Sequence, residues 1–104
     1  MVLQNFISED DDAERGNLVA GENVLLNGTN LWAETDAATK VKFTTVVESG
    51  DAPTVEVTEF IARGPALLTF AYPAALEDGR WLVEVQRTDA GGNTRRSASV
   101  EVNA

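Results

Sequence analysis

Neither cysteine nor histidine occurs anywhere in the 104 residues. Without cysteine there are no disulfides, thiol nucleophiles or thiolate metal sites, and no redox clue to the compartment. The missing histidine excludes more. Serine–histidine and cysteine–histidine catalysis have no base, and the common zinc sites lose their usual ligands. Positive charge is scarce too, with 8 Lys and Arg against 17 Asp and Glu, a formal net charge of −9. Such a surface repels a phosphate backbone, so direct nucleic-acid binding by this domain is not expected. Long apolar runs are absent. Nothing approaches the roughly 18 residues a membrane-spanning helix needs, so membrane insertion is not expected. The start, Met1-Val2-Leu3-Gln4-Asn5-Phe6-Ile7, has no basic residue and too short an apolar run for a signal peptide. The compartment stays open, with the cytoplasm favoured over the cell surface.

What is present is alternation. A chain of this length is expected to form one domain, residues 1–104, with 1–16 supplying an N-terminal strand and an acidic loop. Val41 and Phe43 alternate with Lys40 and Lys42, and Val55 and Val57 with Thr54, Glu56 and Thr58. Leu68, Phe70 and Tyr72 alternate with Thr69 and Ala71 until Pro73, which cannot donate to a ladder. Trp81, Val83 and Val85 alternate with Leu82, Glu84 and Gln86, and Ala98, Val100 and Val102 with Ser97, Ser99 and Glu101. Period two with one apolar face is the pattern of antiparallel sheets that are wet on one side. Adding the N-terminal run and Val24–Leu26 gives roughly seven strands, the count of a β-sandwich. Ser49–Pro53, Glu77–Gly79 and Asp89–Asn93 read as turns, segments 8–20 and 32–39 as longer loops, and Ala74–Leu76 as a single helical turn. The expected core is Val24, Leu26, Val41, Phe43, Leu68, Phe70, Tyr72, Trp81, Val83, Val85, Val100 and Val102.

One segment carries more than alternation. Gly21-Glu22-Asn23-Val24-Leu25-Leu26-Asn27-Gly28-Thr29-Asn30-Leu31 opens on a glycine and closes on an Asn-Gly-Thr-Asn-Leu corner. With Val41–Phe43, Leu68–Pro73 and Gly79–Val85 following in order, it resembles an IPT/TIG-type immunoglobulin-like module. That module, a bacterial domain of unknown function, is found C-terminal to HU-like DNA-binding domains in Bacteroidetes. The resemblance runs from about Phe6 onward and implies an all-β fold, an immunoglobulin-like antiparallel β-sandwich. It suggests no catalytic residues. The turn Arg63-Gly64-Pro65-Ala66 departs from the Asn-rich turn of the module, and no HU-like segment lies in these residues.

Candidate sites are few. The run Glu9, Asp10, Asp11, Asp12 and Glu14 invites calcium, but alignment to an EF-hand loop puts Arg15 at its glycine and Gly21 at its bidentate glutamate. A solvated loop is the better reading, and no metal site is expected. Glu77 and Asp78 are adjacent on a turn and point apart, so they read as turn residues rather than an acid–base pair. Arg95 and Arg96 fall on opposite sides of a strand and cannot form one basic patch; they read as a charged edge that discourages aggregation. Asn27-Gly28-Thr29 is a formal glycosylation sequon but reads as a turn. Trp32 is the partner-binding candidate. Leu31 points into the core, so extended geometry turns Trp32 outward beside loop 32–39; the competing reading is that its indole caps the open end of the sandwich under that loop.

The expectation is a non-catalytic accessory or interaction module of a larger protein, adjoining an HU-like DNA-binding domain, with a protein partner or neighbouring domain and no cofactor. The alternative is an extracellular or cell-surface module for adhesion or glycan binding. At physiological salt this domain should not bind duplex DNA with micromolar affinity, because even non-specific binding needs several cations converging on phosphates. A salt-sensitive gel shift at low micromolar protein would overturn that expectation.

Overall fold

The computed structural model describes residues 18, 21–46 and 54–104, and the backbone of 2–8. Among these, the chain forms only strands and turns. The strands are β1 (Val2–Ser8), β2 (Asn23–Thr29), β3 (Ala38–Thr45), β4 (Thr54–Val57), β5 (Ala62–Arg63), β6 (Leu67–Ala71), β7 (Arg80–Thr88), β8 (Thr94–Arg96) and β9 (Val100–Asn103). One sheet runs β1-β2-β6-β5; the other runs β4-β3-β7-β8, with β9 also on β7. Every pairing is antiparallel. Since β8 and β9 occupy one edge of β7 in succession, they are two halves of a single strand. In immunoglobulin lettering the sheets are ABED and C′CFG, an immunoglobulin-like sandwich.

The alternating residues meet between the sheets. Val24 and Leu26 of β2 and Leu68 and Phe70 of β6 are buried against Val41 and Phe43 of β3, Trp81, Val83 and Val85 of β7, and Val102 of β9. Phe43 meets Phe70 edge to face across the layer, centroids 6.1 Å apart, and Phe60 packs edge-on to Phe70 at the same separation. That geometry suits the aromatic quadrupoles. The Trp81 indole N–H, which would be costly to bury unpaired, donates to the Glu77 carbonyl at 2.9 Å. Leu18, Leu31 and Leu76 are buried from loops and add to the core. Around Leu76 the expected helical turn is one hydrogen-bonded turn, Leu76 N–H to the Pro73 carbonyl at 3.0 Å, with no helix following.

Three expectations change. Tyr72 and Val100 pack against the core but are only half-buried. Tyr72 lies beyond the end of β6, and Val100 opens β9 next to an irregularity. That irregularity reverses the third expectation, Ala98 inside and Ser97 outside. Gln86 pairs with Arg96, and Val83 pairs with Val100, so two residues of β7 face three residues, 97–99. The extra residue is a β-bulge, and it flips the phase of the alternation. Ser97 is buried and Ala98 exposed. Ser97 N–H donates to the Val85 carbonyl, and Val85 N–H donates to Ser97 Oγ, each at 2.9 Å. The hydroxyl stands in for the backbone acceptor that the bulge removes from the ladder. The acidic run 9–14 and the Ser49–Pro53 turn lie outside the described residues.

Replacing Ser97 by alanine leaves the Val85 N–H buried without an acceptor, which costs about 1–3 kcal/mol. Ser99→Ala, at an exposed position, should stay within about 0.5 kcal/mol of the parent. Urea denaturation midpoints measure both. Equal losses at the two serines would remove the bulge hydroxyl from this account.

Candidate functional site

The registers Ala38↔Thr88, Thr88↔Thr94 and Asn27↔Leu67 bring three connections to one end of the sandwich. These are loop 30–37 between β2 and β3, turn 64–66 between β5 and β6, and loop 89–93 between β7 and β8. The first begins at Asn30, whose φ of 54° is a left-handed conformation that asparagine tolerates better than most residues. Gly28 N–H donates to the Ala66 carbonyl at 3.1 Å and Leu31 N–H to the Pro65 carbonyl at 2.9 Å, which ties this corner to turn 64–66.

Trp32 follows this corner. Outward exposure was the expectation from parity, but the indole is half-buried, packs against the core, and lies under the Arg63 guanidinium, 5.6 Å from the ring centroid. Parity counting fails because residues 30–33 are not extended strand. The contact with Arg63 is a cation–π pair, worth about 0.5–1 kcal/mol at an exposed site.

The rest of this end is built around Arg87. Trp81, Val83 and Val85 point inward, so the same parity brings Arg87 to the inner side where the core ends. Its Nε–H donates to Asp36 Oδ2 at 2.5 Å and an Nη2 hydrogen to Asp36 Oδ1 at 3.1 Å. An Nη1 hydrogen reaches the Asn30 carbonyl at 2.8 Å. The Asp36 and Arg87 side chains keep only 6% and 15% of their exposure. The hydrogen bond from Arg87 holds the Asp36 carboxyl below its ordinary value; burial opposes this, and the charge of Arg87 adds to it. Asp36 N–H donates to the Ala33 carbonyl at 3.0 Å and Ala37 N–H to that of Thr88 at 2.8 Å, completing the brace on loop 30–37.

Loop 89–93 is equally constrained. Asp89 Oδ1 accepts the Gly91 N–H at 2.9 Å and the Asn93 N–H at 3.0 Å. Gly92 N–H closes the turn on the Asp89 carbonyl at 3.0 Å, with φ of 84° at Gly92, a conformation that favours glycine. Hydrogen bonding from the Asn93 backbone is the largest influence lowering the Asp89 pKa; burial opposes it, and Gly91, the Asn93 side chain and the Arg95 charge assist.

Between the two loops lies a cavity of about 170 Å³ lined by Thr35, Asp36, Arg87, Asp89, Asn93 and Arg95. Arg95 sits opposite Arg87 in register and Arg96 opposite Gln86, so the two neighbouring arginines face opposite sides, as parity requires. Both cavity carboxylates stay ionised at neutral pH, the state for ion pairing rather than for giving up a proton. Glu77 and Asp78 are exposed on the turn before β7, away from this end. Among the described residues, no group of three or more acidic side chains is arranged to hold a metal ion. The sequence pointed to Trp32 and missed Asp36, Arg87 and Arg95. The signal was available: one more step of the β7 alternation places a charge at an inward position, and an inward charge requires a partner.

The Asp36–Arg87 pair generates a pH dependence whose sign follows from the lowered carboxyl pKa. Its stabilisation is present above the ordinary value of 3.8 and is lost as pH falls through the depressed value in the folded state. Asp36→Asn should therefore cost about 1–3 kcal/mol at neutral pH, and the gap to the parent should narrow as pH falls below 3.8. Thermal unfolding across that range measures it. A gap that does not change with pH would assign the loss to packing instead of charge.

Comparison with known proteins supplies a fold and no family. No known family profile matches the chain, and no curated protein is recognisably similar in sequence. Among solved structures, a candidate bacterial DNA-binding protein from Bacteroides vulgatus superposes with a TM-score of 0.77 over 99% of this chain, at 21% identity. This chain spans 46% of the length of that structure, so the likeness concerns about half of it and establishes the shared fold alone.

Proposed function

We propose that the chain is a non-catalytic interaction module of a DNA-associated protein, working beside an HU-like DNA-binding domain and meeting its partner through the loop end. The observation that carries this reading is the Bacteroides vulgatus protein, in which the same fold makes up about half of a chain described as a candidate DNA-binding protein. Charge supports a division of labour. A module with a net charge of −9 contributes little to holding phosphates, so contact with DNA falls to its neighbour. The loop end supports the rest: two connections braced by side-chain and backbone hydrogen bonds hold a polar cavity, with a half-covered tryptophan beside them. Rigid loops carried on a sandwich are a common basis for recognition, since little ordering entropy is lost on binding.

The full reading frame tests this. An HU-like segment encoded beside these residues supports the reading, and deleting residues 1–104 from that full protein should change duplex affinity by less than about threefold at physiological salt. A secretion or lipoprotein signal with no HU-like segment would overturn it in favour of a cell-surface adhesion or glycan-binding module. Within the intact protein, Trp32→Ala should weaken the contact with the partner by at least about 1 kcal/mol. Because the indole also packs on the core, the same substitution should lower stability, and isothermal titration together with thermal unfolding separates the two effects.

A further inference from the structure

The cavity between loops 30–37 and 89–93 contains four charged side chains, and three already have partners. Asp36 and Arg87 satisfy each other through two hydrogen bonds, and Asp89 is held by the amides of Gly91 and Asn93. Arg95 is left over. It lines the cavity and is exposed, and its charge is felt by both Asp36 and Asp89, yet it makes no ion pair or hydrogen bond among the described residues. The Thr35 hydroxyl on the opposite wall has no partner among the described residues either. We propose that this cavity is a docking site for a single carboxylate, an Asp or Glu side chain of a partner protein, with Arg95 as its binding group and Thr35 as a second donor.

This inference rests on the reading that the loop end meets a protein partner, and it names the chemistry of the contact. A guanidinium offers parallel N–H donors that match the two oxygens of a carboxylate. The volume of about 170 Å³ accommodates a carboxylate and the methylenes that carry it, at a liquid share of about 30 Å³ per water. Both walls are held before a ligand arrives, so binding does not have to order them. The charge balance sets the limit on what enters. The four charges that line the cavity sum to zero, so one entering carboxylate leaves a net charge of −1, whereas a phosphate dianion would leave −2 against Asp36 and Asp89. The strongly acidic chain also disfavours a run of acidic residues as the ligand. A lone carboxylate remains.

The test is an NMR titration of the ¹⁵N-labelled chain with acetyl-Gly-Glu-Gly-amide, acetyl-Gly-Gln-Gly-amide and inorganic phosphate. The Glu peptide should move the Arg95 Nε–Hε signal and the amides of Thr35 and residues 91–93 saturably, with a Kd of about 1–10 mM, as suits one charged contact. The Gln peptide should leave these signals in place, and phosphate should bind more weakly than the Glu peptide. Arg95→Gln should abolish the response, while Arg96→Gln on the outer face should preserve it. Equal responses to Glu and Gln, tighter binding of phosphate, or equal losses in the two arginine variants would overturn the assignment. If the intact protein's partner contact survives Arg95→Gln but falls in Trp32→Ala, the loop-end reading stands and the carboxylate site alone is rejected.

Discussion

Arg87 is the residue on which the geometry of the loop end depends. It occupies the position where a sandwich core must stop, since the next inward residue of β7 has no opposing apolar side chain to meet. A hydrophobic residue there would be exposed, and an unpaired charge would be costly. The fork of the guanidinium resolves this by joining Asp36 from one loop and the Asn30 carbonyl at the end of β2. It thereby links the two sheets at their open end. The path of loop 30–37 and the side wall of the cavity follow from that link.

A second constraint acts along the edge of the same sheet. The bulge at residues 97–99 lets β8 and β9 both pair with β7 while shifting their phase relative to each other. Without the extra residue, the phase that brings Val102 into the core would place Arg95 on the outer face. With it, Val102 is buried at one end of β7 while Arg95 stands beside Arg87 at the other. A buried serine that both donates and accepts makes the shift tolerable inside the layer. The irregularity in the edge strand and the composition of the cavity are therefore one feature viewed at two places.

Charge is distributed unevenly over the domain, and the distribution bears on recognition. On the outer face of the β4-β3-β7 sheet, Lys40 pairs with Glu56 at 2.6 Å, and Arg80 pairs with Glu101 farther along the same sheet. These groups are well exposed, so solvent screens the pairs and they add little to stability. Their effect is to neutralise the cations they involve. At the loop end the arrangement is reversed: Asp36 and Asp89 are the groups occupied, and Arg63 and Arg95 are without a carboxylate among the described residues. Two of the cations left without a carboxylate, Arg63 and Arg95, thus stand beside the braced loops.

Alternation of apolar and polar residues, interrupted by glycine, proline and asparagine, determined the all-β class, the sandwich and most of the core. That information is local: burying one face of a strand needs only a period of two, and it holds wherever the backbone stays extended. It failed where the backbone leaves that geometry, at Asn30 before Trp32 and at the bulge within residues 97–99. The site was less legible. Asp36 and Arg87 are 51 residues apart, and no local pattern marks them as partners. Nor does any local pattern show that Arg95 is left without one, because an ion pair is a property of positions in space. Only the registers of β3, β7 and β8 decided it, by bringing two distant loops to one end and fixing which charges meet there.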